Sequence, residues 1–387
     1  TNKQTYNGNS GGTVSLNGTY TTTNSNFSIP STAATTLAGA TTVSTGSGTI
    51  TFGSTVNGGN TLTANSTAAT TFTGVVGGST ALTSLTTNAN GTLTINSVTT
   101  TGVQEYNDAT VTLTGTAYTT TNSDFDIANT CVLTGSNTTI STGSGNPTIG
   151  GTVNGESNLT INSTGTTTLS GAVGNTTALT SITTDAGGTL DMVSVTTSGA
   201  QDYGNATVKL DGTYTTTNSA FTIDNNTTLD AAATIDVGTG AATFTGTVDG
   251  GYALTVNSAG ILTFSSAIGG STALASVTTD TSGSVSLQSV TTSGAQVYND
   301  DTVTLNGTYT TTNSAFTAGN AVSLGGATTV TTGSGAITFS GTVNGGNTLA
   351  VDTTGSTTFS GTVGATTPLT SVTTNAGGSA SLSSITT

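Results

Sequence analysis

The chain has 387 residues and a formal charge of −15, with charged residues only 5% of the total and Lys3 and Lys209 its only cations. Neutralising phosphates takes clustered Lys and Arg, so nucleic acid is excluded as a partner, and so is an anionic membrane surface. Ordinary soluble domains carry roughly 25% charged residues, so hydroxyls and amides must hydrate this surface, while the regular spacing of apolar residues argues against disorder.

In chain order, a Gln-x-Tyr at Gln4/Tyr6 comes first, followed by Gly18-Thr-Tyr-Thr-Thr-Thr-Asn-Ser-Asn-Phe27. The same words return at Gln104/Tyr106 with 115–125, at Gln201/Tyr203 with 212–221 and at Gln296/Tyr298 with 307–316. Each copy closes on Ser-Val/Ile-Thr-Thr, at 97–100, 194–197, 289–292 and 384–387. Four repeat units follow, 1–100, 101–197, 198–292 and 293–387, read as one continuous array. The closing Ser384-Ile-Thr-Thr387 and the opening Thr1-Asn-Lys-Gln4 also read in phase with the internal joins.

Short runs of Thr, Val, Ile, Phe and Tyr alternate with polar residues and are cut by Gly, Asn and Asp, which predicts strands and tight turns and no helices. A finer spacing of about twenty links Phe52, Val56 and Leu62 with Phe72, Val76 and Leu82. It also links Leu93, Leu113 and Leu133, then Phe244 with Phe264, and Phe339 with Phe359. Such a coil fits one turn of a parallel β-solenoid: an all-β fold with about five coils per unit, stacked about 4.8 Å apart. Inward positions are Val, Ile, Leu and Phe, and outward positions are mostly threonine, whose β-branching suits a strand. At one corner of each unit a pair tolerant of φ > 0 is expected: Asn57-Gly58, Asn154-Gly155, Asp249-Gly250 and Asn344-Gly345. All ten phenylalanines and every tyrosine except Tyr252 sit at recurring positions, which assigns them to the scaffold.

Chemistry finds little to stand on. Catalysis on such a fold needs clustered carboxylates with a base or a cation, and the only adjacent acids, Asp300-Asp301, replace Asp108-Ala109 and Asn205-Ala206 in a turn expected to be a solvated corner. The acids do not line up for calcium, no Gly-Lys-Ser/Thr marks a phosphate cradle, and Cys131 reads as a small packed filler. The sequence therefore offers no catalytic, cofactor or metal residues and no enzyme activity. No apolar run is long enough for membrane insertion. Glycans are possible partners, through Asn-x-Ser/Thr triplets at Asn17, Asn26, Asn65, Asn90, Asn137, Asn158, Asn162, Asn175, Asn205, Asn226 and Asn306.

The phrases Thr196-Thr-Ser-Gly-Ala-Gln201, Tyr298-Asn-Asp-Asp-Thr-Val-Thr-Leu305 and Leu369-Thr-Ser-Val-Thr-Thr-Asn-Ala-Gly-Gly378 resemble repeats of large bacterial surface proteins of the filamentous-haemagglutinin-like, β-solenoid adhesin type. The resemblance implies a right-handed parallel β-helix displayed outside the cell. A secretion domain or anchor of that family is not recognisable in this sequence. The expectation is a non-enzymatic structural protein that builds an extracellular filament or cell-surface fibre by head-to-tail self-association. The stalk of an adhesin is the alternative, and an ice-binding repeat, suggested by outward threonines, ranks third.

Overall fold

A computed structural model describes every residue except 1, 9, 10, 89, 136, 186, 281 and 376; Thr1, where the opening phrase begins, is thus outside the described residues. All regular elements among the described residues are strands, and the chain is a parallel β-solenoid of about 18 turns. It divides into two compact units, 1–197 and 198–387.

In the first unit every turn contributes to three ladders. Ladder one runs through Gln4, Phe27, Ile50, Thr70, Leu93, Val111, Cys131 and Val153. Ladder two runs through Val14, Thr35, Val56, Val76, Val98, Tyr118, Ile140 and Ile161. Ladder three is Tyr20, Val43, Ala64, Thr87, Tyr106, Ile127, Ile149, Leu169 and Met192. All these pairings are parallel, so inward residues stack on inward residues and the core is a set of columns. Sequence alternation decides which residues those are: Thr92–Ile95, for example, buries Leu93 and Ile95 and turns Thr92 outward. The second unit repeats the plan, with Gln201, Phe221, Ala242, Leu262 and Val285 in one ladder, Val208, Thr227, Val248, Ile268 and Val290 in the next, and Tyr214, Ile235, Val256 and Thr279 in the third.

The turns differ in length, from 18 residues between Thr92 and Thr110 to 23 between Phe27 and Ile50. Phe52 stacks on Phe72, and Phe244 on Phe264, as the spacing of twenty predicts. Leu62, however, pairs with Leu85 and not with Leu82, because the corner after Val76 is longer than the one after Val56. Leu113 meets Leu133, while Leu93 meets Val111.

The words of the sequence and the turns of the solenoid are out of step by one side. Between Gln4 and Gln104 the chain passes five rungs of ladder one, five of ladder two and four of ladder three, which makes four turns and two thirds. Gln104–Tyr106 therefore stacks in ladder three, on Leu85–Thr87, although Gln4 lies in ladder one. The second unit does the same: Gln201 opens the first ladder, and Gln296–Tyr298 stacks on Val277–Thr279 in the third. This is close to the five coils per repeat expected, and the missing third moves each word onto the next side.

Core composition is broader than the inward Val, Ile, Leu and Phe expected. Thr35, Thr70, Thr87, Thr138, Thr167 and Thr227 are buried within the ladders. Threonine matches valine in shape and stacks between Val208 and Val248, as Thr227 does. The hydroxyls of Thr70, Thr138 and Thr227 find no partner, at a typical cost of about 1–3 kcal/mol each.

Candidate stacking site

One recurring set of buried polar contacts lies at the Gln-x-Tyr strands Gln104–Tyr106, Gln201–Tyr203 and Gln296–Tyr298. Gln104 is fully buried, and its Nε2 donates to the carbonyl of Thr119 at 2.8 Å and to Thr100 Oγ1 at 3.3 Å. Its Oε1 accepts from the Tyr106 hydroxyl at 3.0 Å. Gln296 repeats the pattern with Thr310 O at 2.9 Å, Thr292 Oγ1 at 3.2 Å and the Tyr298 hydroxyl at 3.2 Å. Gln201 donates to Thr215 O at 2.9 Å and accepts from Tyr203 at 3.1 Å. Glutamine and tyrosine two residues apart point to the same side of a strand, so one side chain satisfies the other inside the core. Burial is also what pushes the phenols of Tyr106, Tyr203 and Tyr298 well above the ordinary tyrosine range.

Rings extend this contact along the core. Tyr203, Phe221, Phe244 and Phe264 form a column with centroid separations of 5.6, 5.6 and 4.8 Å. Further along the same unit, Tyr298, Phe316, Phe339 and Phe359 build an equivalent column in the ladder of Tyr214. All ten phenylalanines are buried. Tyr252, the aromatic outside the repeat, is 46% exposed.

Immediately after each Gln-x-Tyr comes a corner that sequence reasoning placed in solvent. Asp300 is instead buried, with 1% of its surface exposed, and only Asp301 faces out. The direction of a side chain at a corner is set by how the corner folds over the turn below, which strand alternation does not encode. Here the Asp300 carboxylate is turned onto that turn and Thr279 Oγ1 donates to its Oδ2. Asp108 is equally buried, with Thr87 Oγ1 donating to Oδ2 and Oδ1 left without a partner. Asn205 occupies the matching buried position in its own word. Burial raises both carboxyl pKa values, that of Asp300 to about 6, against the partial offset of the threonine bond.

Elsewhere the described residues hold no group of three His, Cys, Asp or Glu able to bind a metal, no pocket and no helix long and apolar enough to cross a membrane. Cys131 is buried between Val111 and Val153, and burial pushes its thiol up to about 12. Lys209 pairs with Asp230 at 3.0 Å on the surface. Among the glycosylation triplets, Asn175 stands exposed in a turn, whereas the burial of Asn205 removes it from reach. No family model, curated protein or solved structure matches this chain.

Proposed function

We propose that the protein is a non-enzymatic structural β-solenoid that builds an extracellular filament or cell-surface fibre by end-to-end stacking, with the right-handed winding that its resemblance to surface-protein repeats implies. The observation that carries this reading is the form of the join between words. Leu85–Thr87 receives Gln104–Tyr106, and Val277–Thr279 receives Gln296–Tyr298, through the same register and the same buried bonds. Ser371–Thr374 repeats the Ser-Val-Thr-Thr of Ser276–Thr279, and Gln4/Tyr6 is the same incoming word. A rung supplied by another copy of the chain would complete the contact that an internal rung makes, and a head-to-tail contact that does not close propagates as a filament.

The phase step also bears on the ice-binding alternative. An ice-ordering face needs one threonine array on one side, turn after turn, but the Tyr-Thr-Thr run lies in ladder three at Tyr20 and in ladder two at Tyr118. An adhesin stalk remains the second reading, favoured by the wording of 196–201 and 298–305, and a tip or anchor on the gene product would support it. The direct test sets the mass of the purified chain beside electron micrographs. Long unbranched fibres formed by the 387-residue chain are the expected result, and rods that stay single at high concentration would overturn the proposal.

A further inference from the structure

We propose that the Thr87–Asp108 and Thr279–Asp300 pairs are acid-closed latches between successive turns, which hold the solenoid more tightly as the medium falls from neutral toward pH 5. The geometry is that of a carboxyl group folded inward at a corner, bonded to a hydroxyl of the turn below and sealed from water. Among the described residues nothing cationic meets either group. Asp108 faces Thr87 and the Gly91 corner of the preceding turn, with Glu105 and Tyr106 on its own strand and Asp126 on the following one. Asp300 faces Thr279 and Asp280 from the preceding turn, with Asp301 beside it, and the following Phe316–Ala318 strand carries no titratable group. Every charged neighbour is therefore an acid.

A carboxylate in such a place lacks the partner that usually compensates buried charge; the neutral acid keeps the threonine bond only in weaker form but leaves no charge behind, and the cost of burial outweighs what the bond loses. The chain holds its own comparison, since Asn205 fills the matching corner with an uncharged group of the same shape. Because the folded-state pKa lies above the ordinary 3.8, the folded form binds more protons than the unfolded one between pH 3.8 and about 6. Stability is accordingly gained as pH falls through that window and is lower above it. A displacement of that size at Asp300 corresponds to roughly a hundredfold change in the folding equilibrium.

Urea unfolding of the full chain at pH 7.5 and pH 4.5 tests this, with three proteins compared. The wild type is expected to gain roughly thirtyfold in folding equilibrium at the lower pH from Asp300 alone, the full shift being reached only below pH 3.8. The double variant Asp108→Asn/Asp300→Asn is expected to lose most of that gain and to match or exceed the wild type at pH 7.5. Asp301→Asn, which removes the same charge from an exposed neighbour, keeps the wild-type response. A double variant with the wild-type slope, or one weaker than the wild type at pH 7.5, overturns the latch. Carboxyl-carbon NMR on the wild type gives a readout that requires no variant to fold: a midpoint near 6 for Asp300 supports the proposal, and one near 4 defeats it.

Discussion

Two corners of the solenoid join neighbouring turns through a side chain, one in water and one in the core. The wet corner is the Thr-Asn-Ser that ends each repeated word. Asn122, Asn218 and Asn313 adopt φ of 51°, 53° and 54°, and their exposed Oδ1 atoms accept the backbone N–H of Ser144, Thr239 and Ser334 one turn on. The dry corner is the one at Asp108, Asn205 and Asp300, where the carboxyls of Asp108 and Asp300 accept from the turn before. The wet corner is spelled almost identically each time, as a left-handed turn tolerates few residues other than Asn and Gly. In the three words that follow the first, the dry one varies between Asp and Asn, two acceptors of the same shape, whereas the first word has Gly8 after Tyr6 and Asn7.

The sharpest way to break the comparison is to jam the wet corner. Gly335 lies over the Asn313 turn, and an added Cβ there would sit 2.0 Å from the carbonyl oxygen of Ser314, a backbone atom that cannot swing aside. Gly335→Ala is expected to cost about 3 kcal/mol, in line with overpacking and backbone displacement in a close-packed site. Urea unfolding would show it, and a variant within 0.5 kcal/mol of the wild type would mean that the corner is loose.

Next in size is Thr279→Val, which keeps the shape of the dry corner while removing the hydroxyl that donates to Asp300. An expected loss of about 1–3 kcal/mol at pH 7 follows from removing a hydrogen bond to a buried carboxylate. The hydroxyl bond holds the Asp300 pKa down, so its loss lets that value climb further, and the penalty should shrink at pH 4.5, where the group is protonated. An equal penalty at both pH values would show that the bond discriminates nothing between the charged and the neutral acid.

Sequence patterns reveal what repeats along a strand and conceal what a corner decides. The Phe244–Phe264 and Phe339–Phe359 stacks were legible because two apolar rings one turn apart leave a visible spacing. The pairing of Leu62 with Leu85 was not, since turns of 18 to 23 residues average to about twenty without any one of them needing to be twenty. The same averaging hid the phase step, which shows only when each rung is placed on its neighbour. At Asn57-Gly58 the pair was legible, but the work is divided: Gly58 takes φ of 124°, whereas Asn57 stays in a strand and accepts the N–H groups of Ser79 and Thr80. The buried threonines were not legible: Thr35 lies inside between Val14 and Val56, because strand parity and shape outrank a single hydroxyl.

The smallest effect should come from the residue that looks most diagnostic in the sequence. Asn313 contributes two separable things, a backbone at φ 54° and an acceptor for Ser334 N–H at 3.0 Å. Asn313→Ala removes the acceptor and strains the backbone, for an expected loss of about 1–2 kcal/mol, the left-handed region alone accounting for about 1. Asn313→Gly relieves the strain and removes only an exposed bond, so the loss should fall to about 0.5 kcal/mol. Thermal or urea unfolding of the two variants side by side separates the terms. If glycine proves as damaging as alanine, the bond rather than the backbone governs the wet corner, and the two corners would then work by the same kind of contact.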